Sequence, residues 1–342
     1  MACYITGCGA ALPERRVTNA ELAPLLSISP EQIEAGSGIR ERRWVSQDRS
    51  SSDLATEAVE NALRSAGLVP EEIEYLIGCT LSADYQVPGI APMVQRKLKG
   101  CPKVPAVDLR VGCAAILYSL QLARSLIESG ETGSVVCFGA EAQSKGLDLR
   151  PRSADLSMLF GDGAGAIVVS REPHSANGAV IRVDDVLIVT DGSFAEDLGV
   201  RAPGTANGPV WLDPEQADSS PYRPSMNGRT VILHAVRKLA DAASEITARD
   251  GVSIEQLDLV IPHQANLNLL RSLALRLSIP DDRIVTNVER YGNTSGASAF
   301  IALWQAESEK RLRPGARVLI AAFGAGFTWG AALCQVYRTL RE

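Results

Sequence analysis

Along residues 53–66, DLATEAVENALRSA, the apolar positions Leu54, Ala55, Ala58, Val59, Ala62 and Leu63 recur at the three- and four-residue spacing that gathers them on one face of a helix. Ser51, Ser52 or Asp53 can cap its start, and Gly67 can stop it. IEYLIGCT (73–80) follows, a largely apolar run of strand length, as expected of a strand covered on both faces. Helix followed by buried strand predicts α/β architecture. The same order returns later in the chain. Ile232, Ala235, Val236, Leu239, Ala243 and Ile246 align helically within 231–247, and LDLVIPHQ (257–264) reads as a second buried strand, so Cys79 and His263 take equivalent strand ends.

The correspondence extends further and predicts an internal duplication. Residues 107–140 read as strand, Gly-Cys turn, helix, loop, strand and Phe-Gly-Ala. Residues 285–325 read as strand, Gly-Asn turn, helix, loop, strand and Phe-Gly-Ala. Gly112-Cys113 matches Gly292-Asn293 at an offset of 180, and the Phe-Gly-Ala elements match at 185. Two βα-rich halves are therefore expected, 1–171 and 172–342. The stretch 196–225, rich in Gly, Pro and Asp, is expected to be a surface excursion or a lid.

Composition narrows the class. The chain has 342 residues, 46% hydrophobic and 22% charged, enough apolar mass for a large core. The net charge of −6, without a basic block, argues against nucleic acid as a partner. No window approaches the roughly 18 consecutive apolar residues of a membrane span, and the first residues lack a signal-peptide pattern. Seven scattered cysteines without CxxC spacing suggest neither a disulfide framework nor a zinc site, and a cytoplasmic location is expected.

Cys113 follows a predicted strand and opens a predicted helix with apolar positions Ile116, Leu117, Leu120, Ala123 and Ile127. A thiol there faces the positive end of the helix dipole, which is expected to lower its pKa. Buried structural cysteine is the competing reading, and it is the one adopted for the other six. Of the three histidines, His174 lies in a polar loop and His234 within a helix, whereas His263 ends an apolar strand at the edge where open α/β sheets build their sites. Asn293, in YGNTSG, stands at the matching edge, either as a turn residue or as an amide donor to a carbonyl gaining negative charge. FGDGAGA (160–166) and FGAGFTWG (323–330) fit neither dinucleotide nor phosphate-loop spacing and are read as tight turns in a packed core, with a backbone amide near Ala325 available to an oxyanion. No metal motif is present, and no metal or other cofactor is expected.

Cys113 in VGCAAILYSLQLA, His263 in IPHQANL, Asn293 in YGNTSGAS, FGDGAGA and FGAGFTWGAAL together resemble the β-ketoacyl-acyl-carrier-protein synthase III enzymes of the thiolase superfamily. The resemblance runs over essentially the whole chain, including SGIRERRW (37–44) and MNGR (226–229). It implies an α/β fold, the thiolase-like duplicated five-layer αβαβα sandwich, assembled as a homodimer. It also implies a mechanism. Cys113 would take an acyl group from a carrier thioester, with its own amide and that near Ala325 holding the oxyanion. His263 and Asn293 would then stabilise the enolate formed when a carrier-bound malonyl-type extender loses carbon dioxide. Acyl carrier protein and acyl thioesters are the implied partners, and Val87 and Phe327 the implied acyl-pocket residues.

The sequence departs from the family where it binds coenzyme A. In register with Gly38-Ile39-Arg40, Gln32 and Gly36 stand where relatives primed by acetyl-coenzyme A carry an adenine-stacking Trp and a phosphate-binding Arg. Asn268 replaces a basic residue after HQANL, which leaves Arg271 and Arg276 to meet an acidic carrier, and Val87 replaces a pocket-capping aromatic. The expectation is a condensing enzyme of polyketide or other specialised acyl metabolism. The alternatives are an acyltransferase of the same fold acting on an alcohol or amine, and a non-catalytic partner subunit.

Overall fold

The computed structural model describes residues 2–207, 215, 218–219 and 222–338. Among them, nine strands form one mixed sheet: β1 (Cys3–Ala11), β2 (Leu76–Cys79), β3 (Ala106–Leu109), β4 (Ser134–Glu141), β5 (Gly163–Ser170), β6 (Val180–Thr190), β7 (Leu259–Pro262), β8 (Arg317–Gly324) and β9 (Thr328–Arg338). Their order is β7-β8-β9-β6-β1-β5-β4-β2-β3. β2 runs parallel to β3 and β4, and β7 parallel to β8. The antiparallel pairs β4–β5 and β8–β9 repeat the same arrangement on either side of the central β1–β6 pair.

The principal helices are α1 (Pro30–Ser37), α2 (Ser51–Ala66), α3 (Ile90–Lys97), α4 (Ala115–Glu128), α5 (Gly228–Arg249), α6 (Leu267–Leu277) and α7 (Ser298–Ser308). Strand alternation explains the layers. On β8, Val318, Ile320 and Ala322 face a core shared with α4 and α7, while Leu319, Ala321 and Phe323 face one shared with α5 and α6. On β4, Val135 and Cys137 join the α4/α7 core, and Val136, Phe138 and Ala140 join α2 and α3. Helices thus cover both faces of each half of the sheet, which is why these strands are apolar throughout rather than alternating. The result is the thiolase-like stack of outer helices, one half of the sheet, central α4 and α7, the other half of the sheet, and outer helices.

The structure shifts several predicted boundaries. The helix expected over 53–66 begins at Ser51, because Ser50 is the cap: Asp53 Oδ2 accepts the Ser50 N–H at 2.7 Å. Of the run 73–80, only Leu76–Cys79 pairs, since Pro70–Glu72 forms a 3-10 turn and Ile73 enters the core. No strand forms over 285–288. Pairing is limited to a bridge at Ile284, with Val285 N donating to Val260 O (2.9 Å); beyond it Gln264 donates from Nε2 to Val285 O (2.9 Å) and accepts from Asn287 N (2.8 Å), and Val288–Tyr291 turns into a short helix. Within the expected lid, Leu198–Gly199 pairs with Ser225–Met226, whereas 208–214, 216–217 and 220–221 lie outside the described residues. Among the described residues, no helix is long and apolar enough to cross a membrane.

Candidate active site

The site stands at the carboxyl ends of parallel strands, where the chain leaves the sheet and side chains can converge. Cys113 follows β3, Glu141 ends β4, His263 follows β7, and Gly324 ends β8. Gly112 turns the chain with φ +54°, a conformation that disfavours a side chain, and Cys113 lies in the 3-10 turn Gly112–Ala114 that leads into α4. A Cβ on Gly324 would come within 3.1 Å of both the Cys113 N and Cβ. The bare glycine therefore keeps open the space beside the Cys113 amide, next to the partly exposed turn residue Ala325.

Asn293 is fixed by its backbone and aimed by its side chain. Its N–H donates to Leu159 O (2.8 Å), and its C=O accepts from Gly161 N (3.1 Å), locking it to the FGDGAGA stretch. That approach requires glycine on both sides: a Cβ on Gly161 would sit 2.0 Å from Tyr291 O, and one on Gly292 (φ +69°) 2.9 Å from Leu159 O. The Asn293 Oδ1 accepts the Ser295 N–H at 2.8 Å, so Nδ2 is left as the amide's donor. Asn293 is only 7% exposed.

His263 is 5% exposed, and its Nδ1 lies 2.5 Å from Ser298 Oγ at the start of α7. The same Oγ accepts the Gln264 N–H at 3.3 Å. When that hydroxyl donates to Nδ1, the ring carries its proton on Nε2, as a donor for the site. Burial lowers the His263 pKa to about 4, so the ring is neutral near pH 7.

For Cys113 the structure corrects the expected depressed pKa. Burial pushes the thiol up, to about 12; the Ser295 hydroxyl opposes this, and the Glu141 carboxylate adds to it. Desolvation of the sulfur is the largest cause of the rise. Ser295 Oγ lies 3.7 Å from Cys113 Sγ. Ser295 has φ +43°, uncommon outside glycine, and it holds contacts to Cys113 and Asn293 at once.

The other expected site residues have neighbours of their own. Phe327 is fully buried, stacked on Phe194 at 4.8 Å and packed against Phe323. Val87 is 83% exposed on a surface loop of the chain. Arg271 and Arg276 are both exposed on α6 but point about 140° apart around it. Arg271, with Arg40, lines a groove of about 480 Å³ that also carries Glu34, Asp281 and Glu289 and does not reach Cys113, His263 or Asn293. Sequence reasoning missed Ser295, Ser298 and Glu141. The two serines lie inside YGNTSGAS, quoted only for its Asn, and Glu141 is signalled by an acid closing an otherwise apolar strand.

Known proteins converge on this description. Residues 107–191 match the family model 3-oxoacyl-[acyl-carrier-protein (ACP)] synthase III, and residues 247–336 match its C-terminal model. A β-ketoacyl-[acyl-carrier-protein] synthase III of Nitratidesulfovibrio vulgaris is 38% identical over 331 residues, covering 97% of this chain and 98% of its own. The crystal structure of 3-oxoacyl-[acyl-carrier-protein] synthase III from Aquifex aeolicus superposes with a TM-score of 0.86 at 35% identity, covering 97% of this chain and 99% of its own. The priming β-ketosynthase of the R1128 polyketide pathway superposes with a TM-score of 0.83 at 28% identity, over 98% of this chain and 96% of its own. On the strength of these matches and of the fold, the chain belongs to the β-ketoacyl-[acyl-carrier-protein] synthase III family of condensing enzymes.

Proposed function

We propose that Cys113 accepts an acyl group from a carrier thioester, and that His263 and Asn293 then stabilise the enolate of a malonyl-type extender as it loses carbon dioxide and attacks the acyl-cysteine. The observation that carries this reading is the linkage through Ser295, whose hydroxyl meets the Cys113 sulfur and whose amide orients Asn293. Covalent capture divides one condensation into two easier steps. The backbone amides of Cys113 and Ala325 flank the space kept open by Gly324 and would hold the oxyanion. The donor at Asn293 Nδ2 favours condensation over simple acyl transfer to an alcohol or amine, which forms no enolate, and over a non-catalytic partner role.

The donor in this reading is a carrier protein rather than free coenzyme A. Gln32 is engaged at the start of α1, where its Oε1 accepts the Ser29 N–H at 2.7 Å. Gly36 offers no side chain, and Asn268 donates to Ala35 O at 3.0 Å, tying α6 to α1. These positions thus support the helix pair, leaving arginines such as Arg271 and Arg276 for an acidic carrier. They also favour a specialised acyl pathway such as polyketide priming, although the similar proteins named above include the general 3-oxoacyl synthases. Val87 would reach an acyl pocket across a homodimer interface, with Phe327 backing the pocket from behind Phe194. The mirrored strand order supports a junction of the halves at 171/172, in the connection from β5 to β6. Intact-protein mass spectrometry after incubation with a panel of acyl carriers tests the scheme: an acyl mass on Cys113 is expected, and its absence with every carrier overturns it.

A further inference from the structure

Glu141 ends β4 fully buried and has no part in the scheme above. Its Oε1 accepts the N–H groups of Leu81 (3.2 Å) and Gly296 (3.3 Å). Its Oε2 accepts from Ser82 Oγ (2.7 Å), Gln143 Nε2 (3.0 Å) and, more distantly, Thr80 Oγ1 (3.5 Å). These partners are all neutral, so a buried carboxylate is held by dipoles alone. Such a group is costly to keep ionised, and burial raises its pKa to about 7 against those donors.

Ser295 stands beside both groups: its hydroxyl faces Cys113 Sγ at 3.7 Å and helps hold down the Glu141 pKa, and the next residue, Gly296, donates its N–H to Glu141 Oε1. Gly296 permits the approach, because a Cβ there would crowd Glu141 Oε1 and Gly112 O, each at 3.2 Å. A relay needs the thiol to donate to Ser295 Oγ, in a contact where either atom can be the donor, and the Ser295 hydroxyl to donate to Glu141. The other titratable group that feels Glu141 from a neighbouring strand is Cys79 at the end of β2, whose thiol is bonded to Ser119 and pushed up to about 12. Asp162, beside the Gly163 that pairs with Glu141, is occupied by Val45 N and by the amide and hydroxyl of Ser144, with Lys145 nearby. His263 is bonded to Ser298.

We propose that Glu141, acting through Ser295, accepts the Cys113 proton during acyl loading. The proposal rests on the reading of Cys113 as the acyl acceptor. As Sγ bonds to the thioester carbonyl carbon, its proton passes to Ser295 Oγ while the Ser295 hydroxyl proton passes to Glu141. The carbonyl carbon–sulfur bond to the carrier then breaks, and the departing carrier thiolate takes back a proton equivalent, directly or through water, which restores the Glu141 carboxylate. An ionised Glu141 also disfavours a standing thiolate, so the device removes the proton only when the sulfur is committed to attack. A base with a pKa near working pH suits that task.

The test is the pH dependence of loading, followed by intact mass with one acyl carrier protein charged with an acyl group that loads the wild type. The wild-type rate is expected to rise to an inflection near pH 7, where Glu141 ionises, and then flatten. Glu141→Gln should lose that inflection and load roughly a hundredfold more slowly above it, the usual scale of general-base assistance. Its decarboxylation of a malonyl carrier should fall far less than its loading. Ser295→Ala removes a single hydroxyl and should lose the same inflection, which decides the matter even if Glu141→Gln does not fold. An inflection kept in either folded variant, or a loss equal at every pH, overturns the relay alone. A wild type that acquires no acyl mass on Cys113 overturns the acceptor reading and the relay with it.

Discussion

Cys113 and Asn293 occupy matching turns in the two halves, each preceded by a glycine of positive φ, yet the two turns are built differently. The Cys113 turn leads at once into the 14-residue helix α4, and the residue is partly exposed although its thiol is desolvated. The Asn293 turn is bridged to Phe160 and followed by the 3-10 turn Ser295–Ala297 before α7 begins, and the amide is nearly enclosed. A nucleophile must be reached by its substrate, whereas an amide that stabilises developing charge gains from being unable to move. The two strand ends differ in the same way. Cys79, which ends β2, is packed into the core, while His263, just beyond β7, is turned into the site by Ser298. In the proposed scheme, one duplicated framework would carry the acyl acceptor in its first half and the extender-stabilising donors in its second.

The largest expected effects test that division directly. Cys113→Ala should abolish acyl-enzyme formation as read by intact mass, and Cys113→Ser should give a folded protein that loads far more slowly, because a hydroxyl is much less acidic than a thiol. Loading that survives in Cys113→Ala would place the nucleophile elsewhere. His263→Ala and Asn293→Ala should each slow condensation by about a hundred- to a thousandfold while sparing loading. If loading and condensation fell together in both variants, the two halves would share one step instead of dividing two.

A smaller effect concerns the donor. The same acyl group should load at least tenfold faster from a carrier protein than from coenzyme A, since a missing stacking contact and a missing charged contact are each worth on the order of 1 kcal/mol. Added salt should narrow the advantage by screening exposed arginines. Equal rates at low and moderate salt would show that coenzyme A finds another handle.

The acid side of the condensation profile sharpens the role of the second half. With its pKa held down to about 4, His263 stays neutral as pH falls through 6, so decarboxylation of a malonyl carrier should show no loss with a midpoint near the ordinary histidine value. A loss centred near 6.5 would mean that the ring is solvated in the working enzyme.

The smallest effect is on stability. Burial raises the Glu307 pKa on α7 to about 7, so its contribution to folding is present at low pH and is lost as pH rises through 7. Glu307→Gln keeps an acceptor for the Ala179 N–H and should match the wild-type Tm near pH 4.5, then exceed it by a few degrees at about pH 8. A Tm gain independent of pH would assign the effect to packing.

Much of this molecule was legible before its coordinates. The helical spacing of Leu54 through Leu63 and the apolar runs at 76–79 and 259–262 follow from periodicity and from burial on both sheet faces. Other features were not. The run 285–288 has the composition of a strand, but its pairing with β7 stops at the Val285 N–H to Val260 O bond, and the Gln264 side chain takes Val285 O and Asn287 N, a contact across 21 and 23 residues that no local pattern encodes. In the candidate site, Cys113, His263 and Asn293 could be picked out because strand ends and turns are local features. Ser295 and Ser298 could not, because their importance lies in what they touch, and Glu141 was signalled only as an acid closing an apolar strand.

By itself, the sequence determined the alternation of buried strands and amphipathic helices, the repeated order of those elements and the family motifs. Each of these depends on the spacing of residue types along the chain, and spacing survives without coordinates. The tertiary structure alone decided how the chemistry is tuned. Closing the two halves onto one sheet edge desolvated the Cys113 thiol, raising its pKa where the helix terminus had promised to lower it, and set Ser295 between that thiol and a buried carboxylate from another strand. Desolvation and cross-chain hydrogen bonds depend on distance through space, and residues 182 positions apart in the chain acquire such a distance only when the fold is complete.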